Sequence, residues 1–465
     1  MFRFTVVMSI VIFLSLLLFS PIKANEQNYV IIGYYAGWSP LKNFNPQSVT
    51  HINYAFADVC WDGTHGNPEA GNGGLLPCTD NNGIKQNDIQ NGTVVLGAPS
   101  TDLPNLENLK AFKYVNPQLK TLISIGGWSW SVNMSLVARA EETRKQFADS
   151  AVAYIQEFDM DGVDLDWEYP VSGGMPNNHH DPLDKENFTL LLQEIRNALT
   201  KAEQEDGKKY LLTIASSAGF SYLDNTELDK VADLVDYINI MTYDFNGSWS
   251  KVTGHNAPLF EDPKALEYDV HPHHVAAAVM GHLDNGVPVH KLVLGLPFYG
   301  RSWGNCNPEN KGRIIENGGY QSCSGNGGGN LEPGTYDYNY LQEHLIDKNS
   351  FKRYWNNTAK VPYLYSEEKK EFISYDDPES LKEKTHFITK NALAGAMVWE
   401  LSEDDNTQTL LTTIRNELEF PKLEATKEPV KERPIKEKAQ SLYWLYFLII
   451  GILLLIILVI IRKRK

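Results

Sequence analysis

The chain is short of basic residues, with 42 Lys and Arg against 58 Asp and Glu and a formal net charge of −16. Nucleic-acid binding requires a positively charged surface, so this balance argues against DNA or RNA as a partner. Cysteine is also scarce, and the four cysteines lack the close spacing of zinc ligands. The histidine pairs 179–180 and 273–274 have no third ligand at a suitable spacing. The sequence therefore predicts neither a metal site nor another cofactor.

The four cysteines are expected to form two local disulfides. Four cysteines allow three pairings, and we expect Cys60–Cys78 and Cys306–Cys323 because each closes a loop rich in Gly and Asn. Closing such a loop removes conformational entropy from the unfolded chain. Disulfides persist in oxidising compartments, so this pattern is typical of an exported protein.

Both ends of the chain carry signals for export and membrane attachment. Residues 1–24 have the charged, apolar and small-residue order of a secretory signal peptide, with an uncleaved signal anchor as the alternative. Residues 442–461 carry no charge and are long enough to cross a bilayer, and the basic tail 462–465 is expected to stay in the cytoplasm. Residues 421–441 are rich in Lys, Glu and Pro and predict a charged linker. The predicted location is the cell membrane, with a single span and the large domain outside.

Between these ends, apolar strand-like runs alternate with helical patterns. The predicted strands are residues 29–35, 51–57, 121–127, an acidic strand within 158–170, 210–215, 237–241, 291–297 and 395–399. The predicted helices are residues 103–115, 136–158, 183–201, 225–233 and 272–284. Strand followed by helix, eight times over, predicts an α/β fold, a closed parallel TIM (β/α)8 barrel with its chemistry at the carboxyl ends of the strands.

The seventh and eighth predicted strands lie too far apart in the sequence for one connecting helix. The strand-like pieces between them lie among Gly-rich turns, which is typical of a small lobe beside the barrel. We therefore assign residues 28–302 and 376–418 to the barrel. Residues 303–375 are expected to form a small α+β insertion domain.

The acidic strand is the most unusual segment of the sequence. Because side chains alternate along a strand, Asp164, Asp166 and Glu168 share one face, and Asp161 lies off it. Three carboxyls in one small space cannot all ionise, so their pKa values are pushed apart, as acid catalysis near neutral pH requires. The alternatives are a solvated surface and a carboxylate metal site, and the apolar neighbours and stiff spacing disfavour both. The strand predicts an acid–base site.

These residues resemble the glycoside hydrolase family 18 chitinases. The family signature DxxDxDxE is matched by residues 161–168, and the resemblance extends over residues 28–418. The other matching motifs, in chain order, are Ser124-Ile-Gly126-Gly127, Met241-Thr-Tyr243-Asp244, Gly254-His-Asn256-Ala-Pro258-Leu and Trp399. The resemblance implies a (β/α)8 barrel whose insertion between strands seven and eight deepens the groove.

The resemblance also implies a reaction, a retaining hydrolysis of β-1,4 bonds between N-acetylglucosamine units in which the substrate acetamide attacks and forms an oxazolinium. Glu168 would be the general acid. Asp166 and Asp164 would be a coupled pair that orients the acetamide, and Tyr243 would donate a hydrogen bond to it. The expected supporting residues are Asp161, Ser124 and Asp244, and the expected substrate-binding residues are Tyr35, Phe56, Gly126, Gly127, Trp128, Trp167, Met241, Arg301 and Trp399.

Chitin or chito-oligosaccharides are the expected substrates, and the sequence does not indicate an oligomeric state. An endo-β-N-acetylglucosaminidase of the same family, acting on peptidoglycan or N-glycans, is the alternative among enzymes. A catalytically inactive, membrane-tethered lectin is the alternative outside them, and the presence of Glu168, Asp166 and Tyr243 disfavours it. Further aromatic residues that are candidates for the groove are Trp38, Trp130, Trp249 and Trp303.

Overall fold

The computed structural model describes residues 29–418 and Phe420, with gaps at 71–73, 268–272, 307–308, 311–312 and 315. The predicted signal peptide, linker, membrane span and basic tail lie outside these residues. Within the described part of the chain, no helix is both long and apolar enough to cross a membrane.

Eight parallel strands form the barrel that the sequence predicts. They are β1 (Val30–Ala36), β2 (His51–Val59), β3 (Lys120–Gly126), β4 (Gly162–Asp166), β5 (Leu211–Ser217), β6 (Tyr237–Met241), β7 (Leu292–Pro297) and β8 (Gly395–Trp399). Each strand pairs with the next, and β1 also pairs with β8, with Val30 opposite Gly395. A further short strand, Val94–Leu96, pairs antiparallel with the end of β2. The closed (β/α)8 barrel is confirmed.

Helices surround the barrel and cover its outer apolar face. They are Pro99–Val115, Met134–Arg139, Glu141–Glu157, Asp184–Asp206, Phe220–Asp224, Leu228–Leu234, Pro263–Glu267, Val275–Asp284, Pro378–Lys390 and Thr409–Glu417. Short 3-10 turns occur at Pro46–Ser48, Val289–Lys291 and Leu401–Glu403. The main core lies between these helices and the strands, whereas the barrel interior holds a separate cluster that includes Tyr34, Met397 and Trp399.

The single long helix predicted for residues 136–158 is wrong, because the structure has two helices there. Ala140 takes an extended conformation (φ −110°, ψ 142°) between Met134–Arg139 and Glu141–Glu157. Side chains of the second helix bond the carbonyls that end the first, since the Thr143 hydroxyl donates to the Val137 carbonyl (2.7 Å) and Arg144 donates to the Ala138 carbonyl (2.7 Å). Side-chain bonding of this kind permits a break that helix propensity alone does not predict.

The segment between β7 and β8 forms a second, antiparallel sheet, so an insertion with strands and helical turns is present there. Its strands are Tyr299–Gly304, Gly325–Asn326, Thr335–Asp337, Lys352–Asn356, Val361–Ser366 and Glu371–Ser374, with helical turns at Tyr338–Tyr340 and Leu341–Leu345 and a separate hairpin of Glu309–Asn310 and Arg313–Ile314. The first of these strands starts at Tyr299, before the predicted boundary at residue 303. Its Trp303 indole donates to the Ser250 carbonyl (3.0 Å), which attaches the sheet to the loop after β6.

Both predicted disulfides are present. Cys60–Cys78 and Cys306–Cys323 close loops with sequence separations of 18 and 17. The first loop contains a small hairpin of Thr64–His65 with Leu76–Pro77 and follows β2 at the carboxyl end of the barrel. The pairing expected from loop composition is confirmed.

Candidate active site

Strand β4 divides its side chains between the barrel interior and the outer core. Asp164 and Asp166 belong to the interior, and Leu165 packs in the outer core. Trp167, directly after β4, also points to the outer core. It is 2% exposed, and its ring meets the Phe188 ring edge-on, with centroids 5.8 Å apart. The predicted alternation is therefore present. The expectation that Trp167 binds substrate was wrong, because its ring lies on the face opposite the carboxyls.

Asp164 is held by donors from four different strands. Its Oδ2 accepts from the Tyr34 hydroxyl (2.8 Å) and the Ser124 hydroxyl (2.7 Å). Its Oδ1 accepts from the Thr213 hydroxyl and, at 3.4 Å, from the Asn239 amide. Burial raises the pKa of Asp164 above its usual value, and these hydrogen bonds limit the rise. The donors favour a charged, fixed Asp164 in the barrel interior.

Asp166 has a different environment from Asp164. It is buried, and among the described residues its Oδ1 has no hydrogen-bond partner. Burial, followed by the charges of Glu168 and Asp164, raises the pKa of Asp166 well above its usual value. Few donors offset this cost, so the charged form of Asp166 is disfavoured.

Glu168 follows β4, which ends at Asp166 rather than at Glu168 as the sequence predicted. The carboxyl is buried. Burial raises the pKa of Glu168 to about 7, a hydrogen bond with Tyr169 opposes the rise, and the charge of Asp244 adds to it. A carboxylic acid with this pKa is protonated in much of the population at neutral pH, so it can give a proton to a ligand.

Aromatic side chains line the barrel interior beside these carboxyls. Trp399, at the end of β8, stacks on Phe56 with ring centroids 5.7 Å apart and also approaches Tyr34 at 5.5 Å. Tyr243 lies in the same cluster, with its hydroxyl 3.8 Å from the Met397 sulfur. Burial and the charges of Asp166, Asp244 and Glu168 raise the pKa of Tyr243 well above its usual value, so its hydroxyl keeps its proton and can donate.

Asp244 and Arg301 form an ion pair at the mouth of the barrel. Arg301 donates from Nε (2.7 Å) and from Nη2 (2.9 Å) to the two carboxylate oxygens, and the Tyr299 hydroxyl donates to Oδ1 (2.9 Å). The guanidinium also lies against the Trp249 ring, 5.3 Å from its centroid. The insertion sheet thus contributes Tyr299 and Arg301 to the mouth of the barrel, beside Asp244.

Two glycines at the end of β3 make room for the site. Gly126 and Gly127 have φ of 108° and 78°, which disfavour any side chain. A Cβ on Gly126 would lie 2.3 Å from the Asp166 carbonyl, and a Cβ on Gly127 would lie 2.6 Å from the Phe56 ring. Trp128, which follows, is 51% exposed. Met241 ends β6 and is half-buried against the interior cluster.

Two further predicted residues lie away from the carboxyls. Asp161 precedes β4, at the end opposite Glu168, where it pairs with Lys113 (2.9 Å) and accepts from the Thr121 amide (3.0 Å). Tyr35 lies in the outer core, and its hydroxyl donates to Asn105 (2.7 Å). The expectation that Tyr35 lines the groove was wrong, because β1 presents Tyr34 to the interior instead.

The residues that sequence reasoning missed are Tyr34, Thr213 and Asn239. Each contacts Asp164 from a different barrel strand, Tyr34 from β1, Thr213 from β5 and Asn239 from β6. The available signal was a polar group within an otherwise apolar strand, since such a group needs a buried partner. In the part of the chain that the structure describes, no group of three or more His, Cys, Asp or Glu side chains is arranged to hold a metal ion.

Comparison with known proteins identifies the family of this chain. The model of glycosyl hydrolases family 18 matches residues 30–404. Chitinase A1 of Niallia circulans is 49% identical over 416 residues, which are 84% of this chain and 58% of that protein, so the chain spans little more than half of this relative.

Two solved structures are similar as well. Chitinase ChiA74 from Bacillus thuringiensis has a TM-score of 0.79 and 43% identity, covering 87% of this chain and 72% of that one. A family 18 N-acetylglucosaminidase from Paenibacillus barengoltzii has a TM-score of 0.69 and 33% identity, covering 84% of this chain and all of that one (100%). The match to the family model extends through the whole barrel and insertion, and the chain belongs to glycoside hydrolase family 18.

Proposed function

We propose that this protein is a chitinase that cleaves β-1,4 bonds between N-acetylglucosamine units with retention of configuration. The observation that carries the proposal is the series Asp164, Asp166 and Glu168 at the carboxyl end of β4. These three buried carboxyls have three different environments, and Glu168 has a pKa raised to about 7. Carboxyls whose pKa values are pushed apart are suited to separate acid and electrostatic roles.

In the proposed reaction, Glu168 gives its proton to the glycosidic oxygen as the bond to the anomeric carbon breaks. The substrate's acetamide oxygen attacks the same carbon and forms an oxazolinium, so no side chain becomes covalently attached. Water then opens the ring while Glu168 takes back a proton. Two inversions at the anomeric carbon leave its configuration unchanged.

The neighbouring groups would stabilise the acetamide as it becomes positively charged. Asp166 would hold the acetamide N–H, and its proton would pass to Asp164 as the charge develops, since Asp164 is close enough for its charge to raise the pKa of Asp166. The Tyr243 hydroxyl would donate to the acetamide oxygen. Ser124 supports the charged form of Asp164 by a hydrogen bond of 2.7 Å.

Substrate binding is proposed to use the aromatic walls and the ion pair at the mouth. The Trp399 ring would form the floor beneath the sugar whose bond breaks, with Phe56 stacked behind it. Arg301, Asp244 and exposed Trp128 would contact sugars at the rim. Gly126, Gly127 and Met241 shape the wall without donating side-chain hydrogen bonds.

The proposal is tested by Glu168→Gln on a chromogenic chito-oligosaccharide. Gln has a similar shape and no acidic proton, so turnover should fall by at least about a thousandfold while oligosaccharide binding persists. Glu157→Gln is the matched control, because Glu157 is an exposed glutamate at the end of its helix. Undiminished turnover in Glu168→Gln would remove Glu168 from the reaction. Chitotetraose binding without products in the parent protein would instead support the lectin alternative.

The substrate is tested by parallel digestion of chitin, cell-wall sacculi, a high-mannose glycoprotein and cellulose. The acetamide is the nucleophile in the proposed reaction, so cellulose should not be cut. Likeness to the Paenibacillus N-acetylglucosaminidase keeps a related glycosidase as the second candidate. Faster hydrolysis of sacculi or glycoprotein than of chito-oligosaccharides would favour that candidate.

We also propose that the protein is exported and tethered by residues 442–461, with a signal peptide at 1–24 and a linker at 421–441. The two disulfides support export, since such bridges persist in oxidising compartments. Cell fractionation tests the tether. Activity that pellets with membranes supports it, and activity found chiefly in the culture supernatant contradicts it.

A further inference from the structure

The backbone N–H and C=O of Glu168 need hydrogen-bond partners from outside the barrel strands. β4 ends at Asp166, so the peptide N–H and C=O of Glu168 are buried polar groups without a strand to bond. The N–H donates to the hydroxyl of Ser131 at 2.8 Å. The same hydroxyl donates to the Gly127 carbonyl (2.9 Å), with the Asp166 carbonyl at 3.2 Å as the alternative acceptor. Ser131 is fully buried, so it links the turn after β3 to the residue that follows β4.

The carbonyl of Glu168 has an equally specific partner. The side-chain amide of Asn178 donates to it at 2.8 Å, and Asn178 is buried. Gly174 lies against the same carbonyl with φ of 71°, and a Cβ there would come within 2.0 Å of the oxygen. The segment 170–183 therefore folds back over the Glu168 peptide. Ser131 thus fixes the backbone N–H of Glu168, and Asn178 fixes its backbone C=O.

The segment that carries Asn178 is itself anchored. The neighbouring Asn177 exchanges amide hydrogen bonds with Asn67 (2.7 and 3.3 Å), which is fully buried within the loop closed by Cys60–Cys78. At the other end, the carboxylate of Asp184 accepts from the Asp181 amide (2.8 Å) and from the Ser135 hydroxyl (2.9 Å). Asn178 is thus held by two connected loops and a helix start.

We propose that Ser131 and Asn178 are positioning residues that direct the Glu168 carboxyl by fixing its backbone on both sides. This inference rests on the proposed role of Glu168 as proton donor. Ser131 and Asn178 act through Glu168 and have no part in the proposed chemistry. Proton transfer depends on the direction of the carboxyl in the transition state, and a misplacement of about 1 Å can cost about a hundredfold in rate. Loss of either partner should therefore lower kcat and leave KM nearly unchanged.

Ser131→Ala is the first test, with Ser380→Ala as its matched control. Ser380 is also fully buried. Its hydroxyl accepts from the backbone N–H of Asp377 (2.9 Å) and donates to the backbone carbonyl of Asp377 (3.0 Å), at the N-terminal cap of the helix Pro378–Lys390. Both variants should lose similar stability in thermal melts. We expect Ser131→Ala alone to lower kcat, by about tenfold to a hundredfold, with KM within about twofold of the parent. Equal kcat in the two variants would overturn the proposal.

Asn178→Asp gives a readout that a purely structural role would not produce. The two side chains have the same shape, but a carboxylate cannot donate to the Glu168 carbonyl, whereas a protonated carboxyl can. The ratio of variant to parent kcat should therefore be near one at pH 4 and fall at least about tenfold by pH 7. Asn178→Gln, which keeps the amide, should retain more activity at pH 7 than Asn178→Asp. A ratio that does not change with pH would contradict the role of Asn178.

Glu168→Gln in the same assays separates two kinds of failure. Full turnover in that variant would overturn the role of Glu168, and with it this inference. Loss of turnover there, combined with parental kcat in folded Ser131→Ala and Asn178→Asp, would overturn the inference alone.

Discussion

At the scale of single residues, the three carboxyls at the carboxyl end of β4 differ in the groups that face them. Four donors surround Asp164, and the Asp166 Oδ1 has none among the described residues. Glu168 keeps a pKa of about 7 because burial is only partly offset by its hydrogen bond with Tyr169. The three carboxyls therefore differ in how far hydrogen bonds offset the cost of burying their charge.

The pKa of Glu168 predicts how the rate depends on pH. The proton donor is active when protonated, and its raised pKa means that the proton is lost as pH rises through about 7. We expect kcat on an unmodified chito-oligosaccharide to be half of its maximum near pH 7 and to fall about tenfold for each further pH unit. Rates measured from pH 5 to 9 test this, with samples returned to pH 6 to show that the protein survived. A rate that stays level up to pH 9 would contradict it.

Residue positions on β4 could be predicted from the sequence because its acids alternate with apolar side chains. Residue positions on β1 could not, since Val30–Ala36 is buried on both faces and reads as apolar throughout. A one-residue change in phase moves every side chain to the other face, which is why Tyr35 was expected where Tyr34 lies. The roles of Ser131 and Asn178 were also unpredictable, because they depend on backbone contacts between separate loops.

At the scale of secondary-structure elements, a buried ion pair holds the helix Pro378–Lys390. Lys384 on that helix contacts Asp376 at 2.7 Å, and both side chains are buried. Burial lowers the pKa of Lys384, and the charge of Asp376 opposes that change. The helix therefore depends on a charge pair within the core.

Lys384→Met should lower the free energy of unfolding by about 3–5 kcal/mol, because it leaves the Asp376 charge buried and uncompensated. The double variant with Asp376→Asn should recover much of that loss. Urea unfolding measures both, and Lys382→Met, at an exposed position of the same helix, is the control. If Lys384→Met is as stable as the control, the pair has no such role.

The two disulfides close loops of nearly equal length, so their removal should cost similar stability. The chain-entropy model gives about 3 kcal/mol for each. Only the Cys60–Cys78 loop contains Asn67, which bonds the segment that holds the Glu168 carbonyl. We expect Ser replacements at both cysteines of that bridge to lower kcat as well, unlike the same change at Cys306 and Cys323. Thermal melts of the two double variants measure the loss of stability, and steady-state kinetics measure kcat. An equal effect of the two changes on kcat would contradict this expectation.

At the scale of the whole molecule, a group of buried carboxyls follows β8. Burial raises the pKa of Glu400 to about 7 and that of Asp404 to about 7, and burial with the charge of Glu400 raises the pKa of Glu403 well above its usual value. In the folded state these three carboxyls bind more protons than they do in the unfolded chain between the usual carboxyl range and pH 7. These groups therefore reduce stability as pH rises through that interval.

Glu403→Gln removes one such carboxyl and should reduce this pH dependence. The Tm of the variant, relative to the parent, should be higher at pH 8 than at pH 5, because the parent alone has to ionise a buried glutamate. Glu417→Gln, at an exposed position of the last helix, should show no such change. If the Tm difference between Glu403→Gln and the parent is smaller at pH 8 than at pH 5, the effect has the opposite sign and rules out this account.

The barrel closes only where the beginning and the end of the described chain meet. β1 pairs with β8, and Arg415 on the last described helix donates to the Gln47 carbonyl in the 3-10 turn before β2 (2.8 Å). During synthesis, β2 can cover one edge of β1 early, but the other edge is covered only after β8, near the end of the described chain, has been made. A nascent chain that stops before Gly395 would expose two strand edges to other chains, a known route to aggregation. Synthesis of β8 is therefore the step that covers the free edges of β1 and β7 and closes the barrel.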